Sequence, residues 1–443
     1  MVFTMFPIPM YAAPVVDVAG TAAVVEGFTD NLSQATEADG SLARHAAFFT
    51  GLDTSFTLKV VGRNTDEHSL RTLARMQVYE PIDTRAGKPD GAFAAAWSSQ
   101  MRLGARSHMI AAFGSTVARL TSARISDGTL PYSVDPSTTQ TAFWVTRGSL
   151  SVTHEADARW QLRLMTGAVV NATVDSTPLP VQGNVPRSSL NTRGLNGAQP
   201  FVTAGATRAL DETTSVEFRG SYHLLYAPYS LDFSTSPPTT GGPRVAHQVV
   251  PDVGLQHAFS PTLSSLTRVG LSFASPAPFD TNRDVVILPV GSEELRYRTE
   301  RWTAIGMTTF SYGAVTPHLG SGPVFGVHGT WIGSPFDSGA LSKVVVVGGA
   351  VAARSSLSAT GGGSTELLAL GCGLQARYPL TSSLGVLAGY DVHSSMLKPP
   401  EGPASGPTIT YVRQIVFFGI SGYWTTHGMI PPLQSFAAST RPG

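Results

Sequence analysis

Between Thr214 and Pro228 apolar or small residues take every second position, Val216, Phe218, Gly220, Tyr222 and Leu224, with Glu217, Arg219, Ser221 and His223 between them. Successive side chains of an extended chain point to opposite faces, so this run is a strand with one oily face and one wet face. The wet face carries ionised groups, which is costly unless water reaches it. The run from Phe201 to Leu210 matches it in length, and only Asp211 to Thr213 lie between, so the pair reads as a hairpin.

The same unit recurs. Leu70, Thr72, Ala74, Met76 and Val78 alternate with Ser69, Arg71, Leu73, Arg75 and Gln77; Trp160 to Asn171 and Leu384 to His393 repeat the pattern. Short turns such as HEADAR, FSPTLSS and YPLTSS join some runs, and longer Pro-, Gly-, Ser- and Thr-rich segments join others. Strands of about ten residues with short turns on one side and long loops on the other are the signature of a transmembrane β-barrel. Charge agrees with this. Only 14% of residues are charged, against about 25% in soluble globular chains, and a wall that faces lipid needs few charges. The longest apolar run, which follows Lys343, is about half the ~20 residues that a membrane-crossing helix requires. It is also β-branched and Gly-rich, which favours a strand.

The expected fold is therefore all-β, a single antiparallel transmembrane barrel over residues 15–425. Strands are expected near 18–30, 44–61, 66–79, 91–104, 107–122, 139–153, 158–173, 199–210, 214–228, 246–259, 263–275, 296–313, 317–331, 340–354, 365–378, 383–396 and 409–425. That is an odd count, whereas single-chain bacterial barrels have even ones. One strand is missing or surplus; 18 strands is the expectation and 16 the alternative. The weak region is 277–357, where Val285 to Val290 reads as another strand or as loop.

Turns expected on the periplasmic side are 62–65, 105–106, 154–157, 211–213, 260–262, 314–316 and 379–382. Connections at 80–90, 123–138, 174–198, 229–245, 276–295 and 397–408 are assigned to the exterior, with 174–198 and 276–295 as candidate constrictions. Residues 1–14, MVFTMFPIPMYAAP, read as the remnant of a signal peptide or a disordered start, although the basic region of such a signal is absent. Residues 426–443 read as a tail.

Candidate lumen-lining residues alternate with lipid-type ones: Arg71, Arg75, Arg163, Glu217, Arg219, His223, Asp252, Arg268, Asp391, His393 and Arg413. Two readings stay open. They form a somewhat basic pore wall that selects solutes, or a ladder of ion pairs that merely fills the lumen. Trp97, Trp144, Trp160, Tyr222, Tyr226, Trp302, Tyr312, Tyr378, Tyr390 and Trp424 are the candidate interfacial girdles; ordinary packing in a soluble sandwich is the alternative.

Little else points to chemistry. Thirty basic and thirty acidic residues balance, and no basic run suggests nucleic acid. Cys372 stands alone and on an apolar face. Eleven histidines are scattered singly, without HExxH spacing. The run from Gly371 matches a dinucleotide fingerprint in letters only, since it lies inside an alternating strand. No catalytic, metal or cofactor site is expected. A Ser/His/Asp hydrolase assembled from separate strands is the third reading of function.

The opening GTAAVVEGFTDNLSQAT, the turns HAFSPTLSS and YPLTSS, and the closing YVRQIVFFGISGYW resemble the porin-like outer-membrane barrels of δ-proteobacteria, especially myxobacteria. The resemblance covers nearly the whole chain and rests on pattern. It implies an outer-membrane channel that conducts secreted polysaccharide, inserted by the barrel-assembly machinery among lipopolysaccharide and paired with a periplasmic polysaccharide-export protein. An adhesive or motility-associated barrel with a closed lumen is the alternative. One departure from the family pattern is that the chain continues past the aromatic Trp424 to Gly443.

Overall fold

The computed structural model describes residues 15–30, 35–36, 42–43, 46–62, 66–81, 90–119, 142–173, 197–227, 230–232, 239–241, 243–275, 285–316, 320–358, 364–398 and 409–426. Eighteen long strands form one sheet. They are β1 (Val15–Thr29), β2 (Ala47–Val61), β3 (Glu67–Pro81), β4 (Asp90–Arg102), β5 (Ser107–Arg119) and β6 (Ala142–Glu155). Next come β7 (Trp160–Thr173), β8 (Gly197–Ala209), β9 (Thr214–Ala227), β10 (Arg244–Ser260), β11 (Leu263–Ser275) and β12 (Val286–Arg298). The last six are β13 (Trp302–Thr316), β14 (Gly320–Gly333), β15 (Val345–Ser358), β16 (Ser364–Pro379), β17 (Leu384–Lys398) and β18 (Ile409–Thr425).

Every strand pairs antiparallel with its neighbours in sequence, and β1 also pairs with β18, from Ala19 opposite Thr425 to Thr29 opposite Ile415. The ring is closed, so no strand edge is left to satisfy. Trp424 lies within the closing ladder opposite Gly20, and a Cβ on that glycine would meet the indole at 2.0 Å. The large ring occupies the space that the missing side chain leaves.

The strand count corrects two expectations. The segment 276–295 is not one loop, because Val286–Arg298 is a strand, and the strand expected at 296–313 begins only at Trp302. Pro289 and the pair Glu293–Glu294 interrupt the period of two and hide it. Inserting a strand reverses the direction of those that follow. Residues 314–316 therefore end β13 at the loop end of the barrel and are not a turn. The strand expected from 340 starts at Val345, after a 3₁₀ turn, Ala340–Lys343, led by Gly339 at φ 73°. That is a backbone state glycine adopts at little cost. Much of 80–90, 174–198 and 397–408, all of 123–138, residues 1–14 and the tail from 427 lie outside the described residues; 229–245 contains a short ladder, Ser230–Asp232 with Thr239–Gly241.

One end of the barrel is built from a repeated local device. Asp157, Asp211, Ser260, Thr299 and Thr381 each accept hydrogen bonds, through a side-chain oxygen, from the backbone N–H groups two and three residues on. Such Asx and Ser/Thr turns fix a tight reversal without glycine. The N–H groups of Arg159 and Trp160 hold the Asp157 carboxyl below the ordinary carboxylate value, and those of Thr213 and Thr214, with the Thr213 hydroxyl, do the same for Asp211.

Directly opposed residues on neighbouring strands share a face, so the registers divide every strand into two walls. The outer wall carries exposed Val24, Phe48, Leu52, Phe93, Phe218, Val269, Ile287, Phe325 and Phe418. The opposite positions form the inner wall.

Candidate functional site

All eleven candidate lining residues take inner-wall positions: each neighbours in sequence a residue of the outer set, as Arg219 neighbours Phe218 and Arg268 neighbours Val269. The structure then sorts them by partner. On β9, β10 and β11 four of them form two ion pairs. Arg219 lies opposite Asp252 in the ladder and meets it at 2.8 Å, with the Asp252 side chain only 3% exposed. Arg268 reaches Glu217 across an intervening strand, at 2.8 Å from Nη2 and 3.1 Å from Nε. The bridge passes over Gly254, which lies opposite both residues; a Cβ there would meet Arg268 Cγ at 3.2 Å and Glu217 Oε2 at 3.4 Å. Here the absent side chain makes room for the ion pair.

On the far side of the ring, around the β18–β1 closure, the inner wall is apolar and packed. Ala23, Val25, Ala47, Phe49, Tyr79, Leu387, Ile415 and Phe417 form a buried cluster. Its large side chains lie over inward glycines of adjacent strands. A Cβ on Gly27 would meet the Phe49 ring at 2.3 Å, one on Gly389 would meet Phe417 at 2.2 Å, and one on Gly51 would meet Val25 at 2.6 Å. Arg413 sits beside this cluster, 1% exposed, donating to Thr29 Oγ1 at 3.1 Å and to the Tyr79 hydroxyl at 3.4 Å. His393 lies opposite it in the ladder, and Asp391, 4% exposed, is two residues away on the same face.

The remaining candidates are dispersed. Arg75 pairs with Asp53 at 3.0 Å. Arg163 donates to Ser151 Oγ at 3.1 Å. Arg71 lies between Thr57 and Ala96, and its Nη1 is enclosed without a hydrogen-bond partner among the described residues. His223 stacks on Phe201 with ring centroids 5.8 Å apart and meets Gln199 Nε2 at 3.3 Å. Asp53 and the Glu294–Arg296 ion pair are inner-wall charges absent from the candidate list. Asp53 was legible, because Leu52, Thr54, Phe56 and Leu58 alternate with Asp53, Ser55, Thr57 and Lys59.

The candidate aromatic residues take outer-wall positions, with the Tyr312 side chain outside the described residues. Trp160, Trp302, Tyr378 and Trp424 lie at or next to the turn end of their strands, and Trp144 and Tyr226 near the loop end; Tyr222 stands further from that end. Trp97 and Tyr390 sit near mid-strand, away from either end. Tyr297 and Trp331 join the turn-end group although the sequence pattern did not single them out.

Two Ser–His contacts bear on the hydrolase reading. Ser99 meets His68 Nδ1, and Ser107 meets His154 Nδ1, both at 2.8 Å on the outer wall near the turn end. Neither imidazole is hydrogen-bonded to a carboxylate among the described residues. The geometry supplies no oriented triad there.

What the inner wall can do follows from its composition. Salt bridges with side chains up to 31% exposed mark a surface in contact with solvent along β9 to β11. An 18-stranded ring encloses an interior wide enough for water.

No protein-family model matches the chain, and no curated protein matches it. Solved structures do. A ferric enterobactin receptor mutant from Pseudomonas aeruginosa matches with a TM-score of 0.43 and 8% identity over 92% of this chain and 80% of its own. The outer membrane protein OpdK from Pseudomonas aeruginosa matches with 0.38 and 12% over 92% and 99%. OccAB2 of Acinetobacter baumannii matches with 0.40 and 10% over 93% and 98%.

Proposed function

We propose that this protein is a porin-like channel of a Gram-negative outer membrane. The carrying observation is a closed ring of strands with a largely apolar outer wall and inner ion pairs at Arg219–Asp252, Arg268–Glu217 and Arg75–Asp53. An apolar exterior requires lipid, and charged groups inside require water; a water-filled transmembrane barrel meets both needs. Reconstitution into planar bilayers tests the reading. Stepwise conductance is expected, and its absence at every voltage and in every solute tested overturns it.

The solute we propose is a secreted polysaccharide, delivered by a periplasmic export protein. The family resemblance of the opening strand, the turns and the closing strand supports this step. Polysaccharide of the producing strain should interrupt single-channel current, while an uncharged dextran of equal length should not. A second reading, a barrel with a closed lumen that serves as an adhesive or structural element, is favoured by the burial of Phe49, Phe417 and Arg413 against the inner wall. Folded, heat-modifiable protein that never conducts would select it.

A further inference from the structure

The inner wall carries one three-strand arrangement twice. On β9, β10 and β11, Glu217 and Arg268 lie opposite Gly254 from either side, and their side chains meet over it. On β7, β8 and β9, Arg163 and Arg219 lie opposite Gly205 from either side. The spacing is the same, two strand intervals or roughly 9–10 Å between the flanking backbones. The charges differ. The first trio joins an acid to a base, whereas the second sets two bases against each other with no side chain between them.

Neither arginine has all its donors engaged. Arg219 directs Nε and Nη2 to Asp252 Oδ2, at 2.9 and 2.8 Å. Arg163 directs Nε to Ser151 Oγ at 3.1 Å and Nη2 to the Met165 sulfur at 3.8 Å. A guanidinium has five N–H donors, and Nη1 of each makes no hydrogen bond among the described residues. Within two residues of this trio on the same face stand Gln161, Met165, Thr203, Thr207, Glu217 and Ser221. The one carboxylate among them, Glu217, is held by Arg268. Around the two trios Arg163, Arg219 and Arg268 face Glu217 and Asp252, so Arg163 is the cation left without a carboxylate. Its side chain is exposed, as part of Arg219 is.

We propose that Arg163 and Arg219 form an anion subsite of the lumen, which takes a carboxylate of the passing solute between their guanidinium groups. The inference rests on the channel reading for access to this wall, and it narrows the solute to acidic ones: in a polysaccharide, a sugar acid. Glu217 shows which group completes the spacing. Its carboxylate accepts from Nε and Nη2 of one arginine, and the planar fork of arginine matches a carboxylate better than any other side chain does. A solute carboxylate over Gly205 stands where that of Glu217 stands over Gly254, with an arginine on each side. Thr203 and Thr207 border the position with hydroxyl groups rather than bulk.

Isothermal titration calorimetry on the full chain folded in detergent tests this, with trigalacturonate as the probe and maltotriose as an uncharged trisaccharide. Trigalacturonate should bind and maltotriose should not. Arg163→Gln should weaken binding by about tenfold, and Arg163→Lys, which keeps the charge but loses the fork, should fall between. Arg147→Gln removes the same charge from the inner wall opposite Val169, six residues along β7 from Arg163, and should change little. An equal loss in Arg147→Gln would reveal a diffuse positive field and overturns the subsite, as does equal binding of maltotriose or no binding of trigalacturonate. A second measurement needs no solute. Gly205→Asp sets a carboxylate opposite both arginines, and should raise the urea midpoint above that of Gly205→Asn and abolish trigalacturonate binding. Equal midpoints overturn the proposal too. Conductance enters none of these outcomes. A barrel that binds without conducting loses the channel reading alone, and a conducting barrel that fails these tests loses the subsite alone.

Discussion

The inner wall at β9 to β11 and the inner wall at the β18–β1 closure stand opposite each other in the ring and solve one problem in two ways. Both must fill inward positions on strands that share a similar alternating pattern. At β9 to β11 the positions hold Glu217, Arg219, Asp252 and Arg268, with Gly254 leaving a gap through which the longer ion pair forms. At the closure they hold Val25, Phe49, Ile415 and Phe417, whose bulk lies across Gly27, Gly51 and Gly389. Glycine serves both walls by absence: in one it admits two charged side chains, in the other a ring. The contrast teaches that inward alternation specifies a face without specifying whether that face meets water or packs.

The largest test of this contrast is at the closure. Phe49→Ala removes a ring that is 2% exposed and rests on Gly27, and should cost about 3 kcal/mol, read as a lower urea midpoint for the barrel in lipid vesicles. An equal loss from Phe218→Ala, on the outer wall opposite, would erase the distinction between the two walls.

Next comes the ion-paired wall. Asp252→Asn removes the charge facing Arg219, and should cost about 1–2 kcal/mol, between the values for exposed and buried pairs, because Arg219 is 31% exposed. In a salt gradient the reversal potential should move toward anions, since an arginine is left uncompensated. An unchanged potential would mean that this wall does not border the conducting path.

Gly254→Ala is a smaller test. The added carbon meets Arg268 Cγ at 3.2 Å, closer than ordinary contact, and touches Glu217 Oε2 at 3.4 Å, so the longer bridge should open, at about 1 kcal/mol. A double-mutant cycle with Glu217→Gln should show the coupling gone. Coupling that persists would mean the bridge does not depend on the gap.

The smallest effect is acidic and confined to turns near the ion-paired wall. Asp157 and Asp211 precede β7 and β9, whereas the turn before β17 uses the uncharged Thr381. Both carboxyls titrate below 3.8 in the folded protein. Their contribution is therefore present above the unfolded value near 3.8 and lost as pH falls through the lower folded value. Carboxyl NMR should show both groups titrating below that value, and Asp157→Asn with Asp211→Asn should flatten the stability profile in this acid window. Normal titration of either group would remove its turn from the contrast.

Most of the barrel was legible locally. Seventeen strands were readable because a period of two needs only a few consecutive residues, and the same period told inward Arg71, Glu217 and Asp391 from outward neighbours. The strand Val286–Arg298 was readable only as strand or loop at Val285 to Val290, because Pro289, Gly291 and Glu293 occupy its outer positions, where apolar residues mark the others. Its omission reversed the direction assigned to the next strand end at 314–316.

From sequence alone came the fold class, the direction in which each alternating side chain points, and the short turns, all set by backbone geometry over a few residues. The tertiary structure decided between the expected eighteen strands and sixteen, the register in which β1 closes on β18, and the partner each charge receives. Glu217 and Arg268 are 51 residues apart in the chain, and the glycine that lets them meet belongs to the strand between them. Such pairings depend on register across the sheet, which no single strand encodes. For the same reason Phe49 and Phe417 become a packed wall only once the two ends of the chain are joined.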